Sequence, residues 1–155
     1  MNEAQADRRV ARREVVVFRV CEDEYCIAIG SVREIRRWSE ATRLPRTPHF
    51  VKGVINLRGV VLPVIDFAAR IGLGDTATTS RHSTIVVEVR GHLLGLLVET
   101  VTDILSIPET DFQPTPALAG DETNEMVSGV ILLNDRLLRI VDVERFAPHV
   151  ESEPA

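Results

Sequence analysis

Aromatic side chains are scarce in this chain of 155 residues, which contains five phenylalanines, one tyrosine and one tryptophan. Hydrophobic residues nevertheless make up 45% of the sequence, so the core must consist mainly of valine, isoleucine and leucine. β-branched side chains favour strands, and a chain of this length buries a core without needing staples. The composition therefore predicts a β-rich globular protein.

Long apolar runs and a signal peptide are missing as well, because no stretch approaches the length of a membrane span. We therefore expect a cytoplasmic protein with no direct membrane insertion. The net charge of −5 argues against a nucleic-acid partner, which would require a basic face. The arginines within residues 1–13 are expected to belong to a flexible, solvated N-terminus, with a lipid- or partner-binding arm as the alternative.

Cysteine and histidine are too few and too scattered for a metal site. The two cysteines, Cys21 and Cys26, have no second pair, so we interpret them as reduced thiols, with a redox role as the alternative. None of the four histidines stands at metal-ligand spacing, and phosphate-binding and nucleophile motifs are missing. We therefore expect no catalytic residues, no metal and no cofactor.

An internal repeat is the most informative feature that is present. Residues 51–67, VKGVINLRGVVLPVIDF, match residues 127–143, VSGVILLNDRLLRIVDV, at seven of 17 positions with an offset of 76. Residues 17–35 match residues 86–104 with an offset of 69, and four of these positions are identical. One small β unit is therefore used twice, and repeats of this kind determine the architecture.

Short strands at close spacing, with one short helix in each copy, are typical of small β-barrels. We therefore predict an all-β fold, mainly β with short helices, built from two SH3-like or up-and-down barrel subdomains. The predicted domain covers residues 14–147, with intertwined barrel subdomains and repeat copies at about 15–72 and 83–147. Residues 148–155 are expected to be a C-terminal tail.

Turn residues separate the predicted elements within each copy. The hairpin of Val51–Leu57 and Val60–Asp66 turns at Arg58 and Gly59, and the second copy turns at Asn134 and Asp135. The other predicted elements are strands at Glu14–Val20, Tyr25–Ile29 and Trp38–Leu44, a linker or helical turn at Ser31–Ile35, and a long surface loop at Pro108–Asn124.

Asp66 and Asp142 occupy equivalent positions, each just before a predicted short helix. The two helices are expected at Phe67–Ile71 and Val143–Phe146. An aspartate at the start of a helix accepts hydrogen bonds from free backbone N–H groups. We therefore interpret both as helix caps, with a catalytic pair of carboxylates as the alternative.

Polar residues interrupt the apolar β sequence at a few places. Asn56 and Arg58 lie next to the predicted hairpin tip, where Gly59 allows the turn. Arg58 is either a solvated turn residue or a fixed cationic donor at an interface, where the planar guanidinium is favoured. Glu34 lies in a similar apolar setting and either pairs with Arg58 or is exposed.

The strings EDEYCIAIGSVREI, TRLPRTPHFVKGVINLRGVVLPVIDF and LLGLLVETVTDILSI resemble the CheW-type coupling proteins of bacterial chemotaxis. The likeness covers about residues 14–147, and its most specific part is VKGVINLRGVVLPVIDF. The resemblance implies two five-stranded SH3-like barrels and no catalysis. It also implies an adaptor in membrane-associated receptor arrays, with two partners: the regulatory domain of the histidine kinase CheA and the cytoplasmic tip of chemoreceptors.

The same resemblance places receptor docking in a groove between the two barrels. It also implies glycines at positions of close backbone approach or at turns, which are Gly53, Gly59 and Gly129. The implied receptor-binding residues, or residues that support them, are Ile29, Val32, Glu34, Ile35, Asn56, Arg58 and Val101.

Three alternatives remain open at this stage. The same fold can serve a non-flagellar chemosensory pathway, with twitching motility or a second messenger as its output. An enzyme that modifies a small molecule or nucleotide would need a pocket with convergent polar groups, and the sequence offers no candidate. A detached regulatory domain of a larger kinase is less favoured, because the chain starts with methionine and carries no kinase or receiver segment.

Overall fold

The structure, a computed structural model, describes residues 11–76, 81–114 and 126–146. In those ranges eleven strands form two sheets, accompanied by two four-residue helices and two 3-10 turns. The strands are β1 Arg12–Val20, β2 Asp23–Ala28, β3 Val32–Arg37, β4 Val51–Leu57, β5 Val60–Asp66, β6 Ser83–Val89, β7 His92–Val98, β8 Thr100–Pro108, β9 Phe112–Pro114, β10 Val127–Leu133 and β11 Arg136–Val141. The helices are α1 Phe67–Arg70 and α2 Val143–Phe146, and the 3-10 turns are Ile29–Ser31 and Glu109–Asp111.

The two sheets follow one plan. The strand order is β8-β1-β2-β11-β10-β9 in the six-stranded sheet and β3-β6-β7-β5-β4 in the five-stranded sheet. The repeat offsets relate β1 to β6, β2 to β7, β3 to β8, β4 to β10 and β5 to β11, so the two orders correspond. The parallel pairs β2–β11 and β5–β7 correspond as well. Each sheet therefore takes strands from both copies of the repeat.

The mainly β fold with short helices is confirmed, with one difference in strand number. The six-stranded sheet gains β9, in which three residues pair with β10. In the five-stranded sheet the corresponding contact is a single bridge between Thr42 and Val54. The extra strand therefore extends a contact that both sheets make at the same edge.

Strand β1 is buried on both faces, because it lies between two hydrophobic clusters. Val16, Phe18 and Val20 belong to a large cluster between the two sheets, which we call the inter-sheet cluster. Val15 and Val17 point the other way, into a smaller cluster of the six-stranded sheet, and the five-stranded sheet has its own small cluster. This double burial explains why β1 reads as a continuous apolar run instead of an alternating one.

Three predicted segments differ from the structure. Ser31–Ile35 is no linker, because the chain forms strand β3 from Val32 onward. The predicted strand at Trp38–Leu44 is wrong, since this segment crosses from β3 at one edge of the sheet to β4 at the other and pairs with β4 only through the single bridge between Thr42 and Val54. Pro108–Asn124 is not simply a loop: Pro108 ends β8, and β9 follows the 3-10 turn.

Some predicted segments lie partly or wholly outside the described residues. Strand β1 begins at Arg12, inside the segment predicted as a flexible N-terminus, and residues 1–10 are not described. The rest of the predicted loop, residues 115–124, and the predicted tail at residues 148–155 are not described either.

Candidate functional site

Strands β3 and β8 occupy the same edge of their respective sheets, and each pairs with one neighbour. Strand β3 pairs with β6, and β8 pairs with β1. Both ladders contain a β-bulge near the start of the edge strand, where the register shifts. A bulge re-aims the side chains that follow it, so it changes which residues of these strands face the space between the sheets.

The bulges place two apolar side chains of each edge strand on the same face. In β3, Val32 lies opposite Val87 and Ile35 lies opposite Ile85. Both of these β6 residues belong to the inter-sheet cluster, and directly opposed side chains point to the same side of a sheet. Without the bulge, residues three apart on a strand would point to opposite faces.

Strand β8 repeats this arrangement. Val101 lies opposite Phe18, and Ile104 lies opposite Val16, so both point towards the inter-sheet cluster. We call these four apolar residues of the two edge strands, together with Ile29 of the 3-10 turn that precedes β3, the edge-strand surface; it consists of Ile29, Val32, Ile35, Val101 and Ile104.

The edge-strand surface is partly buried at its base and exposed at its outer end. Ile29, Val32 and Val101 are half-buried and pack against the inter-sheet cluster. Ile35 is 40% exposed and Ile104 is 56% exposed. Exposed apolar side chains next to a packed cluster are typical of protein-binding surfaces.

The structure thus places Ile29, Val32, Ile35 and Val101 on the side of the inter-sheet cluster and adds Ile104, which sequence reasoning did not assign to the site. The signal for Ile104 was present, since the offset of 69 aligns it with Ile35. What the sequence did not reveal is that both residues stay exposed at the outer edge.

Arg58 and Glu34 form an ion pair at the end of the five-stranded sheet. The Arg58 Nη2 atom lies 2.7 Å from Glu34 Oε1, and Arg36 Nη1 lies 3.4 Å from the other carboxylate oxygen. The hydrogen bond from Arg58 holds the pKa of Glu34 below its usual value. The pair is therefore charged at neutral pH and is lost only as the pH falls through that lowered pKa.

Asn56 and Gly59 shape the turn that presents Arg58. The Asn56 Oδ1 atom accepts a hydrogen bond of 2.8 Å from the Gly59 backbone N–H. Both central residues have positive φ angles, 50° for Arg58 and 88° for Gly59, as a two-residue type I′ hairpin turn requires. The Arg58 side chain is 73% exposed, so its guanidinium is held by Glu34 and still accessible to a partner.

Gly53 and Gly129 lie where another backbone passes close by. A Cβ atom on Gly53 would overlap the Thr42 carbonyl oxygen, and one on Gly129 would lie 2.5 Å from the carbonyl oxygen of Gln113. These two contacts are the equivalent edge pairings of β4 and β10. They lie at the opposite edge of each sheet from β3 and β8.

Asp66 is 1% exposed, and its carboxylate joins helix α1 to the segment that follows it. It accepts hydrogen bonds from the Thr76 N–H at 2.7 Å, from the Thr76 hydroxyl at 2.6 Å and from the Ala69 N–H at 3.4 Å. Lys52 Nζ lies 3.8 Å away. Asp142 is more exposed, and it accepts a hydrogen bond of 3.0 Å from the Glu144 N–H.

We expect the Asp66→Ala variant to lower the free energy of unfolding by about 2–4 kcal/mol, because it removes a buried carboxylate that accepts three hydrogen bonds and leaves the buried Ala69 N–H without its acceptor. The matched Asp142→Ala variant loses a partly exposed cap and should cost about 1 kcal/mol. Urea denaturation followed by fluorescence of Trp38 measures both. Equal losses in the two variants would contradict this assignment.

Among the described residues, no three His, Cys, Asp or Glu side chains are grouped so that they could hold a metal ion. A cavity of about 220 Å³ is lined by Arg43, Arg46, His49 and Lys52 together with smaller or apolar side chains, and it includes no residue of the edge-strand surface. In the described part of the chain, no helix has the length and hydrophobicity to span a membrane.

Comparison with known proteins gives a consistent result. The family model of the CheW-like domain matches residues 14–151. Chemotaxis protein CheW of Rhizobium meliloti (strain 1021) is 44% identical over 143 residues, which is 92% of each chain. Protein FrzA of Myxococcus xanthus is 34% identical over 119 residues, covering 77% of this chain and 74% of FrzA.

A solved structure resembles this one closely. The scaffolding protein TtCheW from Thermoanaerobacter tengcongensis matches with a TM-score of 0.79 and 32% sequence identity. The match covers 85% of this chain and 90% of the other.

Proposed function

The chain belongs to the CheW-like domain family, and from that membership we propose that it is a chemotaxis adaptor. It couples chemoreceptors, the methyl-accepting chemotaxis proteins, to the histidine kinase CheA within receptor arrays. The chain acts by binding and carries out no catalysis of its own. The matches to a chemotaxis protein and to a scaffolding protein over most of both chains support this proposal.

The observation that carries the proposal is the edge-strand surface beside the Arg58–Glu34 pair. An apolar surface with two exposed isoleucines can bury the apolar side of a helical receptor tip. Arg58, held by one carboxylate and otherwise accessible, supplies a directed cation at its rim. We assign receptor docking to this surface, with Ile29, Val32, Glu34, Ile35, Asn56, Arg58, Val101 and Ile104 as the residues that form or support it.

Reconstitution tests the proposal directly. The purified chain is mixed with CheA and receptor-bearing membranes, and kinase autophosphorylation and co-sedimentation are followed. Receptor-dependent activation that requires the chain is the expected result. An absence of binding to both receptor and kinase would refute the adaptor function.

An alternative output for the same adaptor has one specific observation in its favour. The similarity to Protein FrzA shows that this family extends beyond proteins named as chemotaxis proteins. A non-flagellar output, such as twitching motility or second-messenger signalling, is favoured if the neighbouring genes encode a kinase and receptors but no flagellar proteins. Deletion of the gene then changes that output and leaves swimming intact.

A further inference from the structure

In each sheet, an arginine side chain from a hairpin bonds to a carboxylate on the edge strand, which is β3 in one sheet and β8 in the other. We call this contact the closure of the sheet. In the five-stranded sheet, Arg58 follows β4 at one edge and bonds to Glu34 of β3 at the other edge. In the six-stranded sheet, Arg136 opens β11, and its Nη2 atom lies 3.0 Å from Asp103 of β8, although β1 and β2 separate these strands in the order. Within the described strands no backbone pairing joins these elements, so side chains make the closure.

The two closures use equivalent carboxylates but different arginines. Glu34 and Asp103 are related by the offset of 69 and lie opposite the equivalent residues Val86 and Val17. Arg58, in contrast, aligns with Asn134, and Arg136 aligns with Val60. Duplication of the sequence therefore does not account for the second closure. Each sheet has acquired its own cation for the same contact.

Arg136 is held more firmly than Arg58. Its Nε and Nη2 atoms donate to the two carboxylate oxygens of Glu24 on β2, at 3.0 Å and 2.7 Å. A bidentate arginine–carboxylate pair fixes the orientation of the guanidinium plane. The Arg136 side chain is 37% exposed, compared with 73% for Arg58. Glu24 thus holds the arginine in the position from which it reaches β8.

Asp103 lies on β8 between Val101 and Ile104, the two residues that this strand contributes to the edge-strand surface. Among the described strands, β8 is an edge strand that pairs with β1 alone, so the ion pair to Arg136 is a second constraint on its position. We propose that Arg136 is a positioning residue for receptor docking, which acts by fixing β8 through Asp103 as the Arg58–Glu34 pair fixes β3. This inference rests on the proposed function, because receptor docking is the activity that it modulates.

The test compares four variants in receptor binding, kinase binding and stability. Asp103→Ala removes the contact to β8, Glu24→Ala removes the bidentate anchor and leaves that contact, and Arg136→Met removes both. Arg139→Met is the control, because Arg139 lies on the same strand but its guanidinium reaches β2, at 3.7 Å from Asp23 and over the ring of Tyr25. The probe for docking is a soluble fragment that contains the cytoplasmic tip of a methyl-accepting chemotaxis protein.

We expect Arg136→Met and Asp103→Ala to weaken binding of the receptor fragment roughly fivefold, with binding of the kinase regulatory domain unchanged. Glu24→Ala should reduce the unfolding midpoint more than Asp103→Ala does, since it removes two hydrogen bonds instead of one, yet weaken receptor binding less. If Arg136 and its partners served only stability, the variant with the lower unfolding midpoint would also bind the receptor fragment more weakly. The opposite order for Glu24→Ala and Asp103→Ala therefore distinguishes a positioning role from a purely structural one. Arg139→Met should bind like the parent.

Amide hydrogen exchange of the free protein separates the inference from the proposed function. If Arg136 fixes β8, exchange across residues 100–108 is faster in Arg136→Met than in the parent and unchanged in Arg139→Met. Unchanged exchange, or receptor affinity within about twofold of the parent in Arg136→Met, would overturn the positioning role. A parent protein that binds no receptor fragment would instead overturn the docking function itself, whatever the exchange result.

Discussion

The Arg58→Glu variant is expected to lose receptor-dependent kinase activation while it folds like the parent. The Arg58 side chain is 73% exposed and lies at a hairpin tip, so its replacement leaves the hydrophobic clusters intact. In the parent, the Arg58 guanidinium lies 2.7 Å from Glu34. The new carboxylate would face Glu34 and would reverse the charge that is offered to the receptor. Since like charges at an interface are strongly unfavourable, receptor affinity should fall by more than about tenfold.

Two further variants show what Arg58 contributes. Arg13→Glu is the matched control, because Arg13 is also exposed and pairs with Glu109 at 2.8 Å, outside the edge-strand surface. The double variant Arg58→Glu with Glu34→Arg restores the ion pair with its charges exchanged. If the receptor contacts the Arg58 cation, the double variant stays inactive. Recovery of activity would mean that the pair serves only to close the sheet, and unfolding of Arg58→Glu would make Arg58 structural.

Replacement of Gly53 by alanine should destabilise the fold more than the same replacement at any other glycine of the described residues. The φ angle of Gly53 is 148°, a conformation that side chains rarely adopt, and the added Cβ would overlap the Thr42 carbonyl. Strain and overpacking together predict a loss of about 3 kcal/mol or more. That is a large share of the roughly 5–15 kcal/mol by which a domain of this size is stable.

The other glycines provide a graded control for this prediction. Gly129→Ala meets the Gln113 carbonyl oxygen at 2.5 Å without an unusual φ, so it should lose about 1–3 kcal/mol from overpacking alone. Gly30→Ala meets no atom within 4 Å, and its stability should stay within about 0.5 kcal/mol of the parent. Urea denaturation of the three variants gives the order. A Gly53→Ala variant as stable as Gly30→Ala would contradict the close approach.

Local rules explain which elements were predictable from the sequence. The bounds of β4, β5 and α2 agree with the prediction, because turn residues and capping aspartates act on their immediate neighbours. The pairing of Arg58 with Glu34 was one of two interpretations of the sequence. The structure decides between them, because it brings the β4–β5 turn next to β3.

Long-range placement explains what was not predictable. Strand β3 escaped prediction because its bulge breaks the alternation of apolar and polar residues on which strand prediction depends. Arg136 gave no signal, since its counterpart in the repeat is Val60 and its partners, Glu24 and Asp103, are far away in the sequence. Only a sheet curled enough to bring β11 near β8 makes these three residues neighbours.

The sequence by itself determined that the chain is a β protein built from one unit used twice, with hairpins and caps at definite positions. Those properties depend on side-chain alternation, turn residues and residue spacing, which are local. Tertiary structure decided how the units combine. Each sheet takes strands from both copies, two bulged edge strands face the same inter-sheet cluster, and arginines close both sheets. These features depend on pairings between residues that are distant in the sequence, and the energy of such pairings is not encoded in any single segment.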